Sequence, residues 1–117
     1  MPKKSIPKAK KSKRHPGIPP GCVPANQVVI SGNSTGLKVT PECVVLSKRN
    51  RDQVTWKHAN GKPFIIFFDH ETPFQDAIFY PGKEDSGSAK STAKYGKYEY
   101  TVKAGKKTLD PQVIIDK

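Results

Sequence analysis

From Gln27 onward, apolar residues come in short runs broken by Gly, Pro, Asn and Asp at intervals of about eight to twelve residues, the spacing of a sandwich or barrel. Helical periodicity is nearly absent. In KYEYTVK, residues 97–103, Tyr98, Tyr100 and Val102 alternate with Lys97, Glu99, Thr101 and Lys103. A period of two puts the first set against a core and the second in water. QVTWKH opposes Val54, Trp56 and His58 to Gln53, Thr55 and Lys57, and the Asn60-Gly61 pair that follows favours a tight turn. Residues 64–68, FIIFF, are apolar throughout, which predicts a strand that is central or covered on both faces.

Further strands are predicted over 28–31, 36–39, 44–47, 77–80, 88–93 and 113–115. One helical turn is predicted over 72–78, where Pro73 suits a first-turn position and Phe74 and Ile78 are four apart. Phe79 and Tyr80, beside Pro81-Gly82, are expected at a rim open to protein contact. Residues 82–97, rich in Gly, Ser and Lys, read as an exposed loop or weak edge strand whose lysines discourage aggregation. Asp110-Pro111 leads into a closing edge strand, with Ile114 and Ile115 on opposite faces. One of these two is expected to be shielded by the N-terminal segment, a partner or the second sheet.

Composition divides the chain in two. Residues 1–25 hold six of the eleven prolines, and residues 1–20 carry seven Lys or Arg and no acid. Proline at such density removes backbone donors and blocks helix, so an extended, mobile, basic tail is expected there. Residues 26–117 supply nearly all the large apolar groups and suffice for one domain. The net charge of +11 is thus mainly a property of the tail, since the rest carries fourteen bases against ten acids. No apolar run approaches the roughly 20 residues of a membrane span. Nor does the N-terminus hold the apolar stretch of a secretory signal, so an intracellular setting is expected for a complete chain.

Cys22 and Cys43 match no zinc spacing. They form either one disulfide or two free thiols in a reducing compartment; Cys43 itself faces away from Val44 and Leu46.

The order of segments in the middle and at the end resembles a cupredoxin. TPECVVLSKRNRDQVTWKHANGKPF is similar to that family's proline, strand, turn and V-x-W strand leading to the first copper-ligand histidine. YGKYEYTV resembles its G-x-Y-x-Y-x-C strand, whose cysteine is the copper thiolate. The resemblance covers residues 28–115 and implies an all-β Greek-key β-sandwich of seven to eight strands behind a disordered basic tail. It does not imply copper. Phe64 stands where the first histidine would be and Val102 where the cysteine would be, and AGKKTLDPQVIIDK offers neither a second histidine nor a methionine. A blue-copper centre needs a thiolate and two imidazoles, and Phe and Val donate nothing. The closest likeness is therefore to copper-free, cupredoxin-like domains, with no cofactor expected.

The remaining chemistry is sparse. Lys3, Lys4, Lys8, Lys10, Lys11, Lys13 and Arg14 make a cationic arm able to hold a polyanion by displacing its counterions. KKSKR also resembles a nuclear-import signal. The arm contains no aromatic residue to stack bases, so any nucleic-acid binding is expected to be salt-sensitive and indifferent to sequence. His15, His58 and His70 are isolated, and Asp69-His70-Glu71 reads as a surface loop rather than a metal or acid–base site. No serine sits in a Gly-x-Ser-x-Gly elbow. Trp56 with Tyr95, Tyr98 and Tyr100 reads as mostly core rather than a ligand platform. The expected role is a non-catalytic binding or structural module engaging a protein partner, a second copy of itself, or a nucleic acid or other polyanion through the tail. A metal-binding or electron-transfer protein with an unconventional site is the remaining alternative.

Overall fold

The structure, a computed structural model, describes residues 20–33 and 36–117. Eleven strands and no helix occur among them: β1 (Val23–Pro24), β2 (Gln27–Asn33), β3 (Gly36–Thr40), β4 (Cys43–Ser47), β5 (Thr55–His58), β6 (Ile65–Phe67), β7 (Ile78–Phe79), β8 (Gly96–Glu99), β9 (Thr101–Ala104), β10 (Lys107–Leu109) and β11 (Gln112–Asp116). They form three sheets ordered β1-β4-β11-β8, β10-β9-β6-β7 and β3-β2-β5. β10 lies against β3, so the second and third sheets adjoin. The all-β, sandwich-like class follows from the alternation already described.

Alternation sets the inward face of each strand. Val28 and Ile30 of β2, Val44 and Leu46 of β4, and Val113 and Ile115 of β11 all enter one core. β11 pairs in parallel with β4 (Val113 with Val44, Ile115 with Leu46) and antiparallel with β8 (Val113 with Tyr98). The closing strand is therefore internal to its sheet and not at an edge.

The strand count exceeds seven to eight because one extended run divides between two sheets and because β1 and β10 form where no strand is predicted. Residues 96–104 are the clearest case: β8 belongs to the first sheet, β9 to the second, and Tyr100 is the joint. Its N–H donates to Pro111 O at 3.1 Å, so the backbone stays paired through the crossing. Tyr98, Tyr100 and Val102 nevertheless all stay buried.

Around Tyr100 the core is aromatic. Trp56 lies 4.9 Å from Phe79 and 5.5 Å from Tyr100 between ring centroids, and Phe68 lies 5.2 Å from Tyr100. Phe74 meets Trp56 edge-on at 6.4 Å. Each such pair contributes about 0.5–1.5 kcal/mol beyond its buried area. Trp56 Nε1–H donates to Tyr100 Oη at 3.2 Å, which satisfies the buried indole. Desolvation by burial pushes the Tyr100 phenol up to about 12, although the hydrogen bond from Trp56 acts the other way.

Several expectations are corrected here. Phe79 is fully buried rather than at a rim, while Tyr80 is exposed. No helical turn forms over 72–78. Thr72 Oγ1 accepts from Phe74 N–H at 3.1 Å and donates to Asp76 O at 2.8 Å, holding a bend that buries Phe74 and leaves Ile78 exposed. Residues 88–93 form no strand; the 82–97 segment is mostly loop up to β8, and hydrogen bonds hold it to the fold. Val54 N–H donates to Ser86 Oγ at 2.9 Å, Ser86 N–H donates to Val54 O at 2.9 Å, and Lys90 N–H donates to Pro73 O at 2.7 Å. β6 is central, between β9 and β7, but only one of its faces is covered, since Ile65 is 44% exposed. Tyr95 lies outside the core at 58% exposed.

The basic tail lies almost wholly outside the described residues, but the end of the 1–25 stretch belongs to the fold. Cys22 is buried and disulfide-bonded to Cys43, with Cα atoms 4.5 Å apart. β1 pairs in parallel with β4 (Val23 with Val44). Cys22, Cys43 and Ile114 make a second small cluster on the outer face of that sheet, with Val45 against it. Cys43 thus faces away from the main core but is covered, and neither cysteine is a free thiol.

Candidate functional site

Phe64 and Val102 are core residues. β6 and β9 run antiparallel with Ile66 opposite Val102, so Phe64, two residues earlier, lies close along the same pair of strands. Phe64 is 4% exposed, Val102 is fully buried, and both belong to the main cluster. Carbon side chains fill this place, and no lone pair is available to a metal. Among the described residues no group of three or more His, Cys, Asp or Glu is placed to hold a metal ion. Asp69, His70 and Glu71 are exposed in the loop after β6. Lys3, Lys4, Lys8, Lys10, Lys11, Lys13, Arg14 and His15 lie outside the described residues.

A cleft of about 580 Å³ opens beside the same end of β6 and β9. β2 and β5 are parallel neighbours, with Ile30 opposite His58, so their C-terminal ends reach the same side of the molecule. The β2–β3 hairpin supplies Gly32, Gly36 and Leu37 to one wall. The β9–β10 turn supplies Ala104, Gly105, Lys106 and Lys107, and the chain entering β6 supplies Lys62 and Pro63. Gly105 turns the hairpin at φ +64°, a left-handed conformation that favours glycine. Gly32 is required for a different reason, because a Cβ there would stand 2.8 Å from Gly36 O.

His58 closes β5 at the base of the cleft and is 8% exposed. Its Nδ1 accepts from Asn60 N–H at 3.0 Å, within the turn that Gly61 completes by donating its N–H to His58 O at 3.1 Å. That bond assigns the imidazole hydrogen of the neutral ring to Nε2. No buried side-chain nitrogen or oxygen among the described residues lacks a partner, so Nε2, which has none, keeps contact with solvent, and His58 is among the residues that line the cleft. Lys62, Lys106 and Lys107 are exposed at the rim, and their side chains form no hydrogen bond or ion pair with the described residues.

Charge is unevenly divided over the folded part. Lys62, Lys106 and Lys107 line the cleft, and no Asp or Glu is among its lining residues. After residue 20 the chain as a whole holds fourteen bases against ten acids.

Nothing in the local sequence marks the cleft, because Gly, Ala, Pro and Lys carry no periodic signal. The one available sign is that carboxylates are missing from three separated segments, which matters only once the topology brings those segments together. Comparison of the chain with family models, with curated proteins and with solved structures found no match.

Proposed function

We propose that this chain is a non-catalytic, copper-free binding module of cupredoxin-like Greek-key order, fastened to polyanions by its cationic N-terminal segment together with the basic end of its fold. The observation that carries this reading is the charge division: seven bases and no acid in residues 1–20, and three lysines with no carboxylate among the residues lining the cleft. A surface of one sign attracts polyanions over about a Debye length, and binding gains from the counterions they release. With no Phe, Tyr or Trp among the residues lining the cleft and no helix among the described residues to enter a groove, such binding is indifferent to base sequence.

The test is retention of the full chain on heparin or duplex DNA across a salt gradient. Replacing Lys8, Lys10, Lys11, Lys13 and Arg14 with Gln is expected to lower the eluting salt concentration, and adding Lys62→Gln, Lys106→Gln and Lys107→Gln is expected to lower it again. Retention unchanged by both sets overturns the reading.

Protein contact is supported by a separate observation. Ile65, Ile78 and Tyr80 are 44%, 52% and 45% exposed along β6 and β7, and β7 is an edge of its sheet. Adjacent exposed apolar groups beside an edge strand favour association. Sedimentation of an Ile65→Lys, Ile78→Lys variant checks it: a concentration-dependent mass that this pair of changes abolishes supports self-association, and a monomer at all concentrations removes self-association from this reading.

A further inference from the structure

We infer that the cleft between the β2–β3 hairpin and the β9–β10 turn is a binding site for a small amphipathic anion, an aliphatic carboxylate whose chain lies against Leu37, Pro63 and Ala104 while its head group meets Lys62, Lys106, Lys107 and His58.

Hydrogen-bonding character selects the head group. The side-chain polar groups that face the cleft are all donors: three ammonium groups without partners and the Nε2–H of His58, whose other nitrogen is occupied by Asn60 N–H. A ligand must therefore supply acceptors, and a carboxylate supplies two oxygens with negative charge. The three lysines lining the cleft, with no carboxylate among the lining residues, disfavour a cation by the same field that draws in an anion. His58, more than nine-tenths buried and lining the cleft, is the fixed donor in this reading, and the exposed lysines are the mobile ones.

Wall chemistry selects the body. Gly32, Gly36 and Gly105 present backbone without side chains, and Leu37, Pro63 and Ala104 present carbon. No Phe, Tyr or Trp lines the space and the one imidazole, His58, is nearly buried, so a nucleobase or aryl group finds no broad ring to stack on, whereas a flexible alkyl chain needs only apolar contact. The volume of about 580 Å³ lies within the ordinary range for small-molecule sites. This inference goes beyond polyanion attachment, which needs surface charge but no cavity.

The experiment is titration of ¹⁵N-labelled full chain with sodium decanoate, followed by amide NMR, with decan-1-ol as the uncharged comparison. Saturable one-to-one binding is expected, with the largest shifts at Gly32, Gly36, Gly61 and Gly105. The Lys62→Gln, Lys106→Gln, Lys107→Gln variant is expected to bind decanoate about tenfold more weakly, and decan-1-ol to bind more weakly than decanoate. Shifts confined to residues 3–14, equal affinity for decan-1-ol, or undiminished binding by the triple variant each overturn the inference. Heparin retention is read separately, so a failure here leaves the polyanion reading to its own test.

Discussion

Lys48 and the three cleft lysines occupy regions built in opposite ways. Directly after β4, Lys48 donates its backbone N–H to Asp116 O at 2.7 Å and its Nζ to Ser91 O at 2.8 Å and Ala93 O at 2.6 Å. Its ammonium also stands 5.3 Å from the centre of the Tyr95 ring. Beside it, Asp52 Oδ2 accepts from Ser47 N–H at 2.9 Å and Ser47 Oγ accepts from Asn50 N–H at 3.1 Å. There the fold spends a cation on its own carbonyls. At the cleft, Lys62, Lys106 and Lys107 hang from glycine-containing turns with no such partners. The difference teaches that lysine number says little: a charge already committed to the chain's own oxygens is unavailable to a ligand without loosening a loop.

The sharpest way to break this contrast is through packing. Leu46→Ala, in the β4–β11 core, is expected to cost about 2–5 kcal/mol in urea denaturation, whereas Leu37→Ala at the half-buried cleft wall costs about 1. Equal losses would mean that the two regions are equally built into the core. Next in size, replacing Cys22 and Cys43 together with Ser removes a bridge across 21 residues of sequence and lowers stability by about 3 kcal/mol. Decanoate affinity is expected to survive that change.

Alkaline titration isolates the aromatic joint. Tyr100 holds its proton up to about 12 when folded and releases it near 10 when unfolded, so its contribution is complete below pH 10 and declines as pH rises from 10 to 12. The loss reaches about 2–3 kcal/mol by pH 12, and Tyr98, also raised mainly by burial, acts in the same direction. Denaturation midpoints against pH check this, and Tyr100→Phe is expected to flatten most of the slope. The smallest contrast is between single lysines. Lys48→Met costs about 1 kcal/mol and leaves heparin retention nearly unchanged, while Lys107→Met stays within about 0.5 kcal/mol and lowers retention.

Much of the core was legible because burial and alternation are the same signal read twice. Trp56, Tyr98, Tyr100 and Val102 needed only a period of two. That signal cannot say which sheet a strand joins, so the crossing at Tyr100 and the internal place of β11 lay beyond it. Phe79 was misplaced because Pro81-Gly82 marks a turn without saying how far the turn stands from the core; two residues earlier in the chain, the side chain still points inward. The 88–93 segment carried weak strand composition, but its backbone groups pair with Pro73 and with its own turn instead. Cys22 was hidden by proline density, which marks a stretch that avoids helix and not one that avoids pairing. The cleft depended on bringing together residues up to 75 positions apart, Gly32 and Lys107, which no local pattern encodes.

The place of β11 has a consequence for biosynthesis. Residues 112–116 lie between β4 and β8, and β4 also holds β1 on its other side, so early and late parts of the chain meet in one sheet. Until β11 has left the ribosome, β4 and β8 lack the backbone partner between them, and Val44, Leu46 and Tyr98 lack their lateral neighbours Val113 and Ile115. The sheet closes late and all at once, and a stalled or truncated translation product is a natural client for chaperones and proteases.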